Sequence, residues 1–253
     1  MICSHNSMET FQKITLQNKN NFVSKFLTPI SRIQETCLLT LRDGHVFSLV
    51  NAENNIKLYA KCDDITYTGD NLNLGFSDLK KLIKALDMIQ EPSVDLIVNS
   101  NNIEYIGTNN KFKIFLTDES NIPLPKVSIK KLMEFQYDTK FLVKSDVFTS
   151  LIKSSAFITN SNKIYISTDG VGVSAELDDK TKRNVDTFSM KIAETYDGSN
   201  VKSVPFPFDL FKMITGHKTN DVGVSINTNV GVIAIDIFDN NYILKYVASA
   251  HEQ

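Results

Sequence analysis

The chain has 253 residues, 42% of them hydrophobic, and carries a formal net charge of −2 at pH 7. No apolar run approaches the ~18 residues that a membrane-spanning helix needs, so the composition predicts a soluble protein with a sizeable core. The three cysteines, Cys3, Cys37 and Cys62, are widely spaced and odd in number, which supports neither a disulfide framework nor a zinc site and predicts a cytoplasmic location.

The chain opens with residues 1–8, which contain no charged start followed by an apolar core. We therefore expect a short disordered lead there and no signal peptide. Met1 and Met8 are both candidates for the natural start. The pattern of strands and helices begins at residue 9.

Two helices and a series of strands are predicted in the first half. Residues 18–31 place Phe22 and Phe26 on one face of a helix, because they are four positions apart. Residues 77–88 carry a similar apolar face, with Ser77 as the predicted N-cap. Strands are predicted over residues 11–16, 35–41, 46–51, 56–62, 72–76, 94–99, 103–107 and 111–116.

Residues 117–131 separate the two halves. They contain Pro123 and Pro125 and show no helical period. We interpret them as an extended linker, because the residue before a proline disfavours helical backbone angles.

The second half runs through the same order of elements. One helix is predicted to begin at Ser145, with an apolar face that continues to Ala156. Another is predicted over residues 207–217, where Pro207 occupies the first turn and Gly216 ends the helix. Strands are predicted over residues 139–143, 163–167, 171–177, 186–193, 201–206, 221–227, 231–238 and 242–248.

The two halves also share residues at a nearly constant offset. At an offset of 126 residues, Phe-Val-Ser at 22–24 falls on Phe-Thr-Ser at 148–150, and Asp-Gly at 43–44 falls on Asp-Gly at 169–170. Matches that stay in order indicate a duplicated structural unit. We therefore predict an α+β fold of two similar domains, each with two helices on a largely antiparallel sheet. The predicted divisions are a lead at 1–8, domains at 9–117 and 132–253, and a connector at 118–131.

Charge is unevenly placed along the chain. Counted with their flanking residues, over 18–32, 77–88, 144–157 and 207–218, the four predicted helices carry ten basic and only four acidic residues, against the negative sign of the whole chain. For one helix, lysines that simply solvate an exposed face are a sufficient explanation. Four helices with the same bias favour a surface that binds the phosphates of a nucleic acid without reading its sequence.

The chain resembles the DNA polymerase sliding clamps of large tailed phages and is similar in plan to proliferating cell nuclear antigen. The order of elements in each half and the proline-containing connector match that family's plan. Two segments are similar to the phage clamps at the same places, Tyr-Asp-Gly-Ser-Asn at 196–200 and Asn-Asn-Tyr-Ile-Leu at 240–244. The chain is longer than a typical phage clamp around residues 178–183 and in the connector.

The resemblance implies a ring of three identical subunits that encircles double-stranded DNA and tethers the replicative polymerase for processive synthesis. It also implies an ATP-dependent clamp loader as a partner and allows a role in phage late transcription in an infected bacterial cell. The helices would line the hole, and residues 111–116 of one subunit would pair with residues 187–193 of the next. The basic residues expected to face DNA are Lys19, Lys25, Lys80, Lys84, Lys144, Lys153, Lys212 and Lys218.

In this family the hydrophobic tail of the polymerase binds beside the connector and the C-terminal strand. The resemblance therefore implies a peptide pocket, whose expected residues are Ile122, Leu124, Val127, Tyr246, Val247 and Ala248. An extended segment with alternating apolar side chains suits such a pocket, because a peptide binds through a few buried anchors. The alternative is that these residues only pin the connector to the sheet.

No motif favours catalysis. The histidines His5, His45, His217 and His251 have neither metal-ligand nor triad-like spacing, and no glycine-rich phosphate loop is present in the sequence. We therefore expect a non-enzymatic protein without a cofactor or a metal. Two alternatives stay open: a clamp-like DNA-binding subunit that does not close a ring, and an unrelated duplicated β-rich binding module.

Overall fold

The computed structural model describes residues 12–52, 55–154, 156, 158, 162–178, 186–214 and 221–251. Its strands in the first half are β1 (Gln12–Leu16), β2 (Cys37–Arg42), β3 (His45–Asn51), β4 (Lys57–Cys62), β5 (Ile65–Tyr67), β6 (Leu72–Phe76), β7 (Val94–Val98), β8 (Asn102–Ile106) and β9 (Lys111–Phe115). Those in the second half are β10 (Thr139–Val143), β11 (Lys163–Thr168), β12 (Val173–Leu177), β13 (Phe188–Ala193), β14 (Asp197–Gly198), β15 (Val204–Pro207), β16 (Val222–Asn227), β17 (Val232–Asp239) and β18 (Tyr242–Ser249).

The helices of the described residues are short. They are α1 (Lys19–Asn21), α2 (Thr28–Ile33), α3 (Leu79–Asp87), α4 (Ile129–Glu134), α5 (Ser145–Ser154) and α6 (Phe208–Met213). A π-helical segment, Phe22–Leu27, joins α1 to α2 without a break, and a 3-10 turn lies at Glu119–Asn121. None of these helices is long and apolar enough to cross a membrane.

The strands form three sheets in which all the neighbouring strands are antiparallel. A five-stranded sheet has the order β5-β1-β7-β8-β9, and a four-stranded sheet has the order β13-β12-β11-β15. The third sheet has nine strands in the order β14-β10-β16-β17-β18-β4-β3-β2-β6 and therefore contains strands from both halves. The halves meet where β18 pairs with β4, with Tyr246 opposite Leu58.

The core lies between the sheets and the helices. Along β3 and β16 buried side chains alternate with half-buried ones, as expected for strands with one face on a core. The hairpin between β2 and β3 turns at Asp43 and Gly44, which both have positive φ angles of 52° and 81°. A two-residue hairpin loop needs such angles, and Asp-Gly supplies them at low cost.

The predicted α+β class and the predicted antiparallel arrangement are confirmed, and several local predictions are corrected. The N-cap of α3 is Asp78, not Ser77, because the Asp78 carboxylate accepts a hydrogen bond from the Lys80 backbone N–H at 3.1 Å. Helix α4 begins inside the predicted connector and continues past its end at residue 131. The sequence pattern missed this helix and also the short strands β5 and β14. Helix α5 ends at Ser154, so Ala156 lies beyond its last turn.

Candidate nucleic-acid interface and connector

Helices α2, α3, α5 and α6 lie side by side. Helix α3 contacts the π-helical segment and α2, and α2 contacts α6. The Arg32 guanidinium of α2 donates to the Met213 carbonyl of α6 at 3.5 Å. Phe211 of α6 stacks on Phe148 of α5 with ring centroids 6.0 Å apart. The helices from both halves therefore form one row, whose outward residues share a single surface.

Three of the lysines expected to face DNA are exposed on this row. Lys84 lies on α3, Lys144 precedes α5, and Lys153 lies in its last turn. Within the described residues none of the three forms an ion pair. Their ammonium groups are therefore open to an anion from solvent.

Lys80 and Lys212 are exposed on the same row but are held by carboxylates. The Lys80 ammonium bonds to the Glu35 carboxylate, and this contact raises the pKa of Lys80. Lys212 pairs with Asp209 at 3.3 Å, three residues earlier on α6, and its ammonium lies 5.1 Å from the centre of the Phe208 ring. These two lysines have a counter-ion before any ligand arrives.

Lys25 and Lys19 are built into the protein more deeply. Lys25 of the first half pairs with Asp239 of the second at 2.8 Å and lies over the Tyr242 ring at 5.7 Å. Lys19 is only 3% exposed, and its ammonium donates to the Ile89 carbonyl just after α3. Lys19 therefore does not reach the surface. Lys218 lies outside the described residues.

The sequence reasoning found the lysines but missed the partners of Lys80 and Lys25. Glu35 follows the end of α2, and Asp239 ends β17, so neither carboxylate belongs to a predicted helix. The residues that meet them are far away along the chain. Composition of the helices alone could not reveal these pairs.

The connector crosses the outer face of the nine-stranded sheet. Near one edge, a Cβ added at Gly75 of β6 would lie 2.6 Å from the Ile122 side chain, so the connector packs directly on that glycine. Beyond the other end of the connector, after helix α4, the Tyr137 ring lies 5.4 Å from the Lys245 ammonium of β18. The main hydrophobic cluster, which packs beneath the helices, is the helix-side core. Leu38 and Tyr59 are buried although they lie outside this cluster. The connector therefore spans strands of both halves.

The structure separates the residues of the expected peptide pocket. Ile122 is buried, Leu124 is 53% exposed, and Val127 is half-buried. Tyr246 and Ala248 belong to the helix-side core, whereas Val247 between them points to the connector side, because side chains alternate along a strand. Burial also raises the pKa of the Tyr246 phenol. Tyr246 thus offers no surface to a peptide.

A polar cluster lies where the connector meets β18. Lys245 is 9% exposed and bonds both oxygens of Asp236, at 2.8 and 3.0 Å. The buried Tyr137 hydroxyl has no hydrogen-bond partner among the described residues, and burial, together with Asp236, raises its pKa. Phe135 packs edge-on against the Tyr137 ring with centroids 5.0 Å apart. This cluster fixes the end of the connector to the sheet.

Strands β9 and β13 are edge strands of the five-stranded and the four-stranded sheet, respectively. On β9 the half-buried residues Phe112 and Ile114 alternate with exposed ones. On β13 Phe188 and Met190 are likewise half-buried. These four side chains pack against the core and are only partly covered by the part of the chain that the structure describes. Among the described residues, no group of three His, Cys, Asp or Glu side chains could hold a metal ion.

Comparisons with known proteins agree with this geometry. No family model and no curated protein sequence matches the chain. The structure is similar to a solved structure described as the C-terminal region of FEN-1 bound to A. fulgidus PCNA, with a TM-score of 0.77 and 15% identity over 96% of this chain and 99% of that one.

Two further PCNA structures are similar. The one from Entamoeba histolytica has a TM-score of 0.76 and 12% identity, covering 95% of this chain and 99% of that one. The one from Thermococcus kodakaraensis has a TM-score of 0.74 and 10% identity, covering 95% and 100%. The chain therefore has the DNA-clamp fold of two similar α+β domains.

Proposed function

We propose that the protein is a sliding clamp that encircles double-stranded DNA and tethers a DNA polymerase. The observation that carries this proposal is the row of helices with exposed Lys84, Lys144 and Lys153 on one side of a sheet continuous across both halves. Lysines without a base-reading element give affinity for phosphates in any sequence. The clamp fold supports the same conclusion, since the neighbours are PCNA structures.

Pairing of β9 with β13 of another copy would close the ring. In the duplicated order of elements, β9 is the counterpart of β18, and β13 is the counterpart of β4. The pair β18–β4 joins the two halves within one chain. A β9–β13 pair between chains would repeat that joint head to tail and cover the half-buried residues of both edges. We propose a homotrimer, in keeping with the resemblance to clamps.

The partner proteins follow from the same proposal. The neighbour described as FEN-1 bound to PCNA supports binding of a partner's C-terminal peptide. In this chain we place that peptide beside the exposed Leu124 and the half-buried Val247. A polymerase tail, a clamp loader, a phage origin, an infected host cell and a role in late transcription are parts of the proposal that rest on the sequence resemblance.

Topological retention on DNA tests the proposal. Subunits diluted and then concentrated with a nicked circular plasmid should assemble around it and co-elute with it at ~0.2 M salt, where loose phosphate contacts alone are weak. Cutting the plasmid once should release the protein. Lys84→Glu with Lys144→Glu and Lys153→Glu should reduce loading onto the plasmid and leave the circular dichroism spectrum unchanged.

A non-ring subunit would behave differently. It would remain on linear DNA as firmly as on circles, and that result would contradict the sliding clamp. A preference for one DNA sequence would also contradict it.

A further inference from the structure

We propose that Glu35 and Asp209 are built-in competitors of DNA phosphates, each holding one inner lysine so that fewer lysines grip DNA at once. This inference rests on the proposed function. It assigns a role to two carboxylates that lie beside the DNA-facing lysines. Their side chains pair with Lys80 and Lys212 respectively.

Glu35 is positioned to hold Lys80 by the backbone around it. The Leu79 N–H at the start of α3 donates to the Glu35 carbonyl at 2.9 Å, which fixes this residue beside the first helical turn. Lys80 lies in that turn, where the positive end of the helix dipole disfavours a cation. A carboxylate at this place offsets the dipole and keeps the ammonium group on the inner surface.

Asp209 holds Lys212 along α6. Asp209 lies in the first turn and Lys212 in the last, so both charges also suit the helix dipole. The contact is 3.3 Å, and the side chains are 43% and 46% exposed. In the Lys80–Glu35 pair the side chains are 53% and 50% exposed.

This exposure makes both pairs exchangeable. Ion pairs in contact with water contribute little to stability, so a DNA phosphate can replace the carboxylate at small cost. The Lys25–Asp239 pair differs, because its side chains are only 31% and 26% exposed and the Tyr242 ring covers the ammonium. Among the described residues, the surface formed by the helices therefore has three kinds of lysine. Lys84, Lys144 and Lys153 form no ion pair, Lys80 and Lys212 form exchangeable pairs, and Lys25 is fixed. Such a surface grips DNA weakly and allows movement along it.

The test measures binding to a short labelled DNA duplex by fluorescence anisotropy over a range of salt concentrations. Glu35→Gln and Asp209→Asn should each tighten binding several-fold at low salt. Each should also steepen the dependence of log K on log salt by up to about 0.9, the value for one further phosphate contact. Asp87→Asn is the matched control: Asp87 is exposed on α3 and forms no ion pair within the described residues. Its effect should be smaller, because it releases no lysine.

A double-mutant cycle separates the ion pair from a general change in charge. In a Lys80→Gln background, Glu35→Gln should lose its effect on binding, because no lysine remains to be released. An equal gain in that background, or no gain in any background, would overturn the inference. Wild-type protein that is not retained on the circular plasmid would overturn the proposed function as well, whereas duplex binding that does not change in the Glu35→Gln and Asp209→Asn variants would overturn the inference alone.

Discussion

Lys19 is basic, as expected of a residue that contacts DNA, but it occupies a buried position with a structural role. It lies three and seven positions before Phe22 and Phe26, on the same apolar face of the helix. That spacing was a signal for burial that a count of charges ignores. In the structure its ammonium donates to the Ile89 carbonyl, and its backbone N–H donates to the Pro92 carbonyl at 2.7 Å. Lys19 therefore joins the start of α1 to the end of α3.

Replacing Lys19 should affect stability and not DNA binding. Lys19→Met leaves the Ile89 carbonyl without a donor in a buried place, which should lower the free energy of unfolding by about 1–3 kcal/mol. Lys84→Met is the comparison, because Lys84 is exposed on α3. It should weaken duplex binding and leave unfolding by urea nearly unchanged. The reverse pattern would show that Lys19 faces DNA.

At the scale of elements, long amphipathic segments were predictable and short or long-range ones were not. The apolar face of α3, with Leu79, Leu82 and Leu86 buried, was evident in the sequence. Helix α4 was missed, although its cap was readable: the Ser128 hydroxyl accepts from the Lys131 N–H at 3.3 Å. Its six residues are too few to show a helical period.

The peptide site beside the connector stays a prediction, and the structure changes which of its expected residues are accessible. The family resemblance located it beside the C-terminal strand, yet it gave no means to assign faces along that strand. Because side chains alternate along a strand, Val247 and Tyr246 point to opposite sides of the sheet. The ion pair of Lys245 with Asp236 beneath Tyr137 depends on pairing between strands, which the sequence does not display.

Of the residues expected at the peptide site, the exposed Leu124 gives the sharper test. Leu124→Asp should abolish stimulation of the cognate polymerase and keep the fold and the oligomer mass, because Leu124 is exposed and a charge there opposes an apolar anchor. Tyr246→Ser is unsuitable, since loss of a fully buried aromatic side chain costs about 3–5 kcal/mol. Full stimulation by the Leu124→Asp protein would move the peptide site elsewhere.

At the scale of the whole molecule, the two halves share the nine-stranded sheet, whereas β9 and β13 are edge strands of the five-stranded and the four-stranded sheet. The domain division at residues 117 and 132 stays a prediction. The edges carry exposed lysines, Lys111 and Lys113 on β9 and Lys191 on β13, a pattern that discourages non-specific pairing of strands. The half-buried apolar residues beside them favour one specific partner.

Charges placed on the edges should dissociate the ring. Ile114→Asp and Met190→Asp should each leave a folded single chain, because both side chains are half-buried at the edges and would be covered only on assembly. Light scattering should give about 28.5 kDa for these variants and three times that mass for the wild type. Exposed Ser189 of β13 offers a control, Ser189→Asp, with the same charge on the opposite face. Ile114→Asp protein with the wild-type mass would rule out pairing through β9.

The joint between β18 and β4 has a mechanical consequence for a ring of such chains. Its strand ladder is reinforced on the helix side by Lys25–Asp239 and on the outer side by a connector fastened near Gly75 and at Lys245. The seam between chains would have the ladder without the connector. If such a ring were twisted, the strand pairing between chains would yield first, and each chain would move as a rigid body. A gap wide enough for a duplex would then open at a seam, with the chains on both sides unstrained.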